Sequence, residues 1–273
     1  MSDNTDKVAV IIAVYDGDDT FFFNKAIQSI FNQTYPNIDV YLYVDAVHKP
    51  EIKDLITKFQ QRENFYTVNG QVKKGLAYGL NCLLENIKDK GYGFIARMDS
   101  DDISVSDRLE KQINFLNNNT RVSVIGSNCI EISNDGKEIF HKKMPESHQD
   151  ILDIVIKRSP FIHPSVMFRG DIIEHIKYNN QLMNTQDYYL WVDLLAKGLI
   201  FYNIQEPLLY FRVNDSFYSR RGLSKVFNEL KSRIYAINKL KRHSAQSYIY
   251  LIGLVMLRLA PVSVKKFCYM RFR

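Results

Sequence analysis

The chain is poor in the residues that staple small folds or carry a chain through a bilayer. It has three cysteines in 273 residues, Cys82, Cys129 and Cys268, far apart and with no CxxC or Cys/His metal spacing. A disulfide framework and a zinc centre are therefore excluded, and reduced thiols in a cytosolic protein are expected. The longest apolar stretch near the C-terminus, Tyr248–Leu257, falls well short of the roughly 20 residues that span a membrane. Met1–Lys7 is polar and acidic, and the run Val8–Val14 is too short for a secretory h-region, so no signal peptide is expected. No zinc-finger, RNA-recognition or P-loop pattern occurs, and no internal repeat or Gly/Ser linker. Acidic residues also become scarce late in the chain. Residues 212–273 carry 14 Lys or Arg against two acids, a net of +12, whereas 1–211 carry 22 basic and 28 acidic residues, a net of −6. A basic end on an acidic body points to an anionic surface, nucleic acid or lipid.

What remains is ordinary globular material, 46% hydrophobic and 24% charged, at a length that buries a real core. Val8–Val14 is a β-branched run of the kind found in buried parallel strands. A helix is predicted over Phe22–Phe31, a strand over Ile38–Val44, a helix over Glu51–Phe59 and a strand over Phe65–Val68. A helix over Gly75–Ile87 and a strand over Tyr92–Ala96 follow. This alternation predicts an α/β fold with a parallel sheet covered on both faces. Ligands in such sheets sit at the carboxyl ends of the strands, here Tyr15–Asp19, Asp45 and Arg97–Asp102. The second half reads as a helix over Val105–Leu116 and a hairpin of Val122–Ser133 and Lys137–Lys142 around Asp135-Gly136. A helical Ile151–Ile156, a strand Ser165–Arg169 and a helix Tyr188–Lys197 come next, then two strands, Leu199–Ile204 and Leu208–Val213. From Leu223 the chain turns helical and basic.

Asp99, Asp101 and Asp102 place three carboxylates in four residues at the end of a buried strand. Like charges held so close need a compensator, and a hard divalent cation supplies one. The plainer alternative is a solvated acidic turn in which Asp102 or Ser104 caps the next helix.

With these residues together, the chain resembles the large family-2 class of inverting nucleotide-sugar glycosyltransferases, which have the GT-A fold. VAVIIAVYDGDD followed by KAIQSIFNQTYPN is similar to that family's first strand, turn and helix. Asp45 falls at the family's acidic position after the second strand, and Lys74-Gly75-Leu76-Ala77 with Asn81 resembles the segment before the donor-binding helix. Asp99-Ser100-Asp101 matches the DxD motif, and Thr185-Gln186-Asp187-Tyr188-Tyr189-Leu190-Trp191 is similar to the segment carrying the catalytic base. The resemblance spans about residues 7–213. Ala13 stands where the family often has Pro, and Gln186 where it often has Glu.

The resemblance implies a GT-A type, Rossmann-like mixed sheet flanked by helices over residues 1–213, with a nucleotide-binding half at about 7–102 and an acceptor half at about 103–213. Residues 214–273 would form a basic helical C-terminal extension. Ala13, Val14, Tyr15 and Asp45 would hold uracil and ribose, with Gly75, Asp99 and Ser100 also on the nucleotide sugar. Asp101 would bind Mn2+ or Mg2+, and Asp187 would take the proton from the acceptor hydroxyl. An Asp at this place could equally be a carboxylate favoured by a helix N-terminus. His163 is a candidate for the acceptor side or a hydrogen-bonded loop histidine. Trp191, one helical turn after Asp187, is expected to pack in the core behind it, with an acceptor-side role as the alternative. Lys74, Arg97 and Arg212 are candidates for the diphosphate, with Lys73, Arg220 and Arg221 as further basic residues nearby and a solvated lysine pair as the plainer reading of Lys73 and Lys74.

The implied activity is non-processive transfer of a hexose, Gal or Glc, from a UDP-sugar to a lipid-diphosphate-linked sugar in O-antigen or capsule assembly. Processive synthases of the family carry transmembrane helices and a QxxRW motif, and neither is present here. A catalytically inactive nucleotide-sugar binder or scaffold is the alternative. Apolar residues between Tyr248 and Leu259, rimmed by Lys241, Arg242, Arg258, Lys265, Lys266, Arg271 and Arg273, suit a helix on an anionic membrane surface, with Pro261 breaking it; the alternative is a helix packed on the domain or on a second subunit with a solvated basic face. The expected location is cytoplasmic, at the inner face of the cytoplasmic membrane, with no nucleic-acid partner.

Overall fold

The β-branched opening run forms β1, Val8–Tyr15, and Val8 to Ile12 are all fully buried. The computed structural model describes residues 6–182, 185–213 and 223–260. Asp19 caps α1, Thr20–Phe31, by accepting from the Phe21 and Phe22 amides at 2.9 and 3.1 Å. The chain continues through β2 (Ile38–Asp45), α2 (Pro50–Phe59), β3 (Phe65–Gly70), α3 (Leu76–Ile87) and β4 (Phe94–Arg97). Then come β5 (Ile103–Ser104), α4 (Arg108–Asn118), the hairpin β6 (Val122–Ile132) and β7 (Glu138–Lys142), and α5 (His148–Ile154). After β8 (Met167–Arg169), α6 (Gln186–Ala196) precedes β9 (Ile200–Arg212), and α7 (Leu223–Lys239) and α8 (Ala245–Leu259) close the described chain.

The strands form one sheet in the order β3-β2-β1-β4-β8-β6-β9-β5, with β7 added on β6. The first four are mutually parallel, as the alternation of elements predicts. Beyond β4 the sheet is mixed: β8 is antiparallel to both β4 and β6, β9 is parallel to β6, and β5 is antiparallel to β9. One face is covered by α1, α2 and α4 through Phe23, Ile27, Ile52, Ile56, Leu109 and Ile113. The other is covered by α3 and α6 through Leu80, Leu83, Tyr188, Trp191 and Leu194.

Two local readings differ from expectation. The two strands predicted over Leu199–Ile204 and Leu208–Val213 are one strand, β9. Pro207 cannot donate to a ladder, but the pairing with β6 shifts register beside Asn128, whose side chain donates to the Gln205 carbonyl at 2.6 Å. The helix predicted from Val105 begins at Arg108, because Ile103–Ser104 pairs with Tyr210 and Leu209 instead.

Tyr43 on β2 lies flat against Gly70 and Gly79, so that a Cβ at either glycine would collide with its ring. α7 is built into the domain. Ala236 and Ile237 are buried in the α3/α6 core, Tyr235 donates to Asp193 of α6, and the Arg233 guanidinium lies over the Tyr188 ring at 4.1 Å. α8 ends at Leu259 with an extended Ala260. The helix break expected at Pro261, and Arg220, Arg221 and Cys268, lie outside the described residues. Cys82 and Cys129 remain thiols. Among the described residues no helix is long and apolar enough to cross a membrane.

Candidate active site

The carboxyl ends of β1, β2 and β4 bring the predicted residues to one edge of the sheet. The register sets Ala13, Val14 and Tyr15 beside Tyr43, Val44 and Asp45, and Ile11 beside Arg97. Val14 points into the core, leaving its backbone for a ligand, whereas the Tyr15 ring is 40% exposed with Lys73 Nζ over it at 4.4 Å. Asp45 is buried, and its two oxygens accept from the Lys74 and Gly75 amides at 2.8 and 2.9 Å. It therefore clips the β3–α3 loop onto the end of β2. Gly75 takes φ +82°, a value other residues rarely adopt, and nothing lies where its Cβ would be. Lys74 Nζ lies over the Tyr78 ring at 4.3 Å.

The acidic cluster is more differentiated than its spacing suggests. Oxygens of Asp99, Asp101 and Asp102 lie within 4.8 Å of one another. Burial and the charges of Asp99 and Asp18 push Asp101 up to about 7. Asp102 is fully buried and held well above the ordinary carboxylate value by desolvation and its acidic neighbours. Its Oδ1 accepts from the Arg212 amide at 2.7 Å, while its Oδ2 has no hydrogen-bond partner. The expected alternative of Asp102 or Ser104 as helix cap is not seen: α4 starts after Asp107, with no side-chain cap. Three hard oxygen donors, one of them a buried carboxylate oxygen lacking a partner, fit a divalent cation.

Asp18, inside the predicted Tyr15–Asp19 segment but not singled out from it, joins this cluster. Its Oδ2 accepts from the Tyr15 amide at 3.0 Å, and burial raises it to about 6. Its signal was the acidic turn after β1, whose nearness to Asp99 only the fold creates.

Arg97 stands behind the cluster. Its side chain is fully buried, with Nη2 2.5 Å from Asp99 Oδ1 as an ion pair, and Nε and Nη1 have no hydrogen-bond partner. Arg108 of α4, also fully buried, holds the Arg97 carbonyl at 2.8 Å, and burial lowers its guanidinium to about 9.

Asp187 sits in the first turn of α6 and keeps part of its surface open. Burial raises its pKa, opposed by the backbone N–H groups of Tyr188 and Asp187 and by the charge of Arg97. The fold thus gathers Arg97, Asp99 and Asp187 into one electrostatic neighbourhood. His163 belongs to it as well. Its Nε2 is 2.8 Å from the Tyr178 hydroxyl, and burial beside Arg97 holds it well below the usual imidazole value, so it is neutral. Tyr178 is a second residue that sequence reasoning missed. Asn81 fastens it twice, accepting from its amide at 2.9 Å and donating to its carbonyl at 2.8 Å.

Trp191 takes the core place expected of it, and Arg212 does not face a diphosphate. Trp191 has no exposed surface and lies among Phe161, Phe168 and Phe201, so it packs the core behind Asp187 and offers no face to an acceptor. Arg212 donates through Nε to the Asp101 carbonyl at 2.9 Å and through Nη1 to the Ser133 carbonyl at 2.9 Å. It also stacks on Phe22 at 3.8 Å. Where a diphosphate contact was expected, the side chain is a brace for the acidic loop.

Comparison with known proteins agrees with this geometry. Residues 9–182 match the sequence profile of Glycosyl transferase family 2. An Escherichia coli protein, UDP-Gal:alpha-D-GlcNAc-diphosphoundecaprenol beta-1,3-galactosyltransferase, is 31% identical over 273 residues, covering 98% of this chain and 97% of its own. The amylovoran biosynthesis glycosyltransferase AmsE of Erwinia amylovora is 28% identical, covering 97% and 98%. Among solved structures, S. aureus TarS in complex with UDP superposes with a TM-score of 0.67 at 14% identity, covering 95% of this chain and 77% of that one. The Pyrobaculum calidifontis mannosyltransferase PcManGT, in complex with GDP-Man and Mn2+, gives 0.58 at 12% identity, covering 97% and 79%. With the fold, the strand-end carboxylates and the matched profile all in agreement, the chain belongs to glycosyl transferase family 2 and is a glycosyltransferase.

Proposed function

We propose that the protein is a non-processive, inverting hexosyltransferase that moves Gal or Glc from a UDP-sugar to a sugar on a polyprenyl diphosphate, in O-antigen or capsule assembly. The observation that carries the chemistry is the shared neighbourhood of Asp187, Arg97 and Asp99 at the sheet edge. The hexose and the lipid acceptor rest on the near full-length likeness to the E. coli galactosyltransferase.

Asp187 would accept the proton of the acceptor hydroxyl on its carboxylate. Burial lifts its pKa above the ordinary carboxylate value, which makes it a stronger base, and the backbone N–H groups of Tyr188 and Asp187 and the charge of Arg97 oppose that lift. Attack opposite the leaving group inverts the anomeric centre, giving a β-linked product from an α-linked donor. Tyr15 and the backbone of Ala13 and Val14, with the loop clipped by Asp45 and ending at Gly75, would line the uridine side. Asp99, Asp101 and Asp102 would hold Mn2+ or Mg2+, which when bound supplies positive charge against that developing on the diphosphate. Asp99 and Ser100 would face the donor. His163, neutral and tied to Tyr178, would line the acceptor side. The enzyme would work at the cytoplasmic face of the membrane, held there through its basic C-terminal region.

The test is a donor panel of UDP-Gal, UDP-Glc, UDP-GlcNAc and UDP-GalNAc, with Mn2+ or Mg2+ and a synthetic GlcNAc- or GalNAc-diphosphate-lipid, read by mass spectrometry. One hexose is expected to be transferred. The product should vanish with EDTA and fall at least about a hundredfold in Asp187→Asn, with UDP affinity retained. UDP binding with no transfer to either acceptor would favour the inactive binder, and no UDP binding at all would refute the reading.

A further inference from the structure

The last helix carries two faces of opposite character. Ser247 and Leu251 of α8 turn toward the body, Leu251 packing against the α3/α6 core. Tyr248, Ile249, Ile252 and Met256 turn outward, and their exposures are 47%, 67%, 61% and 68%. At 100° per residue these four share an arc of about 100°, a continuous stripe along a helix about 22 Å long. A stripe of two isoleucines, a methionine and a tyrosine left in water is costly for a monomer unless something covers it.

Charge identifies the cover. After Glu229 the chain contains ten Lys or Arg and no Asp or Glu. Lys241 is exposed where α7 turns into α8, Lys239 and Arg242 beside it each lie 3.7 Å from a solvent-accessible aspartate, Asp193 and Asp153, in ion pairs that water and salt weaken, and Lys157 Nζ lies over the Tyr250 ring at 4.4 Å. A second copy of this chain would set two net-positive faces together. An anionic bilayer instead takes the apolar stripe into its interface and the ammonium and guanidinium groups onto its headgroups. The helix is also mechanically joined to the base. α8 packs on α7, and α7 is clasped to α6 by Tyr235–Asp193 and Arg233–Tyr188, with Asp187 in the first turn of that same α6.

We propose that the outward stripe of α8 is the surface on which the enzyme docks on an anionic bilayer, and that the α7–α6 clasp fixes Asp187 relative to that bilayer, where a lipid-linked acceptor would present its hydroxyl. The second half of this statement rests on the glycosyl-transfer reading; the docking does not.

The full chain would be sedimented with vesicles of phosphatidylcholine alone or mixed with phosphatidylglycerol. Binding is expected to the mixed vesicles, to weaken as salt screens the headgroups, and to fall about tenfold or more in Ile249→Glu/Ile252→Glu, since charged groups replace two inserted side chains. Both positions are exposed, so the variant should fold and keep its turnover of a water-soluble, short-chain acceptor. Absence of wild-type binding, or equal binding by the variant, would overturn the docking. So would a dimer that the variant converts to monomer with vesicle binding unchanged. Tyr235→Phe should bind vesicles normally but lose turnover on a vesicle-borne acceptor more than on the soluble one; an equal loss on both would overturn the role of the clasp. Vesicle binding is read without turnover, so a chain that binds vesicles and transfers no sugar supports docking and refutes the glycosyl-transfer reading instead.

Discussion

Replacing Arg212 by Met separates two roles that a basic residue at this place could have. The side chain makes two well-formed hydrogen bonds to backbone carbonyls, Asp101 and Ser133, each at 2.9 Å, and stacks on Phe22. Met fills much of the same volume but donates nothing, so two carbonyls lose a charged donor. At roughly 1.5–3 kcal/mol for a hydrogen bond from a charged group, the loss of the two should be about 3–6 kcal/mol. At about 2–4 °C per kcal/mol for a chain of this size, the melting temperature should fall by about 6–24 °C. Because one carbonyl belongs to Asp101, Mn2+ affinity measured by calorimetry should weaken as well. Arg212→Lys should lie between wild type and Met, since a single ammonium cannot bridge the same carbonyls. Unchanged thermal stability with weakened UDP binding would refute the brace and restore the diphosphate contact.

The acidic cluster predicts a pH effect of unusual sign. The folded values of Asp101, about 7, and Asp18, about 6, lie above their value of 3.8 when unperturbed, so the folded state takes up protons first. In EDTA their contribution to stability should grow as pH falls from about 7 toward about 4 and be lost as pH rises through the folded values. Saturating Mn2+ at pH 7.5, or Asp101→Asn, should flatten that slope; a slope unaffected by either would disprove the assignment. Trp191 is the chain's only tryptophan and is fully buried, so its fluorescence should resist acrylamide and be insensitive to acceptor. Trp191→Ala should cost about 3–5 kcal/mol in denaturant unfolding. Asn81→Ala should remove both fastenings of Tyr178, at a cost of about 2 kcal/mol, and raise the acceptor KM while sparing UDP affinity. Equal effects on both substrates would argue against an acceptor-side role.

Much of the first half of the chain, up to β4, was legible because its signals are local. A β-branched run, a capping Asp19 and a helix-spaced apolar stripe specify β1 and α1 without help from the rest of the chain. The strand-end rule then places Tyr15, Asp45 and Asp99 correctly, because parallel strands present their carboxyl ends on one edge. The chain after β4 was less legible because its determinants are pairings across long loops. Nothing near Ile103 announces a strand; its partner is Tyr210. Nothing near Pro207 announces that β9 runs on, since the compensating shift lies on β6 at Asn128. Side-chain roles divide similarly. Asp101 and Asp102 are alike in sequence, yet one lies toward the open edge and the other is anchored to the Arg212 backbone. Trp191 follows Asp187 by one helical turn, and only the aromatic cage around it decides that it faces inward.

The bond from the Arg212 amide to Asp102 spans 110 positions of the chain. β5, immediately after the acidic loop, has β9 as its only strand partner in the described sheet. During synthesis from the N-terminus the parallel strands can pair early, β4 included, but the far side of the acidic loop lacks the Arg212 brace and the partner of β5 until residue 212 has emerged. A nascent or truncated chain ending before β9 would carry Asp99, Asp101 and Asp102 and still lack the fixed geometry of their cluster. Closure of a loop this long is slow compared with local helix formation, so assembly of the site should trail the formation of the sheet. In refolding experiments, cation-dependent UDP binding should recover after far-UV ellipticity does, making the competence of the site a late event in the life of each molecule.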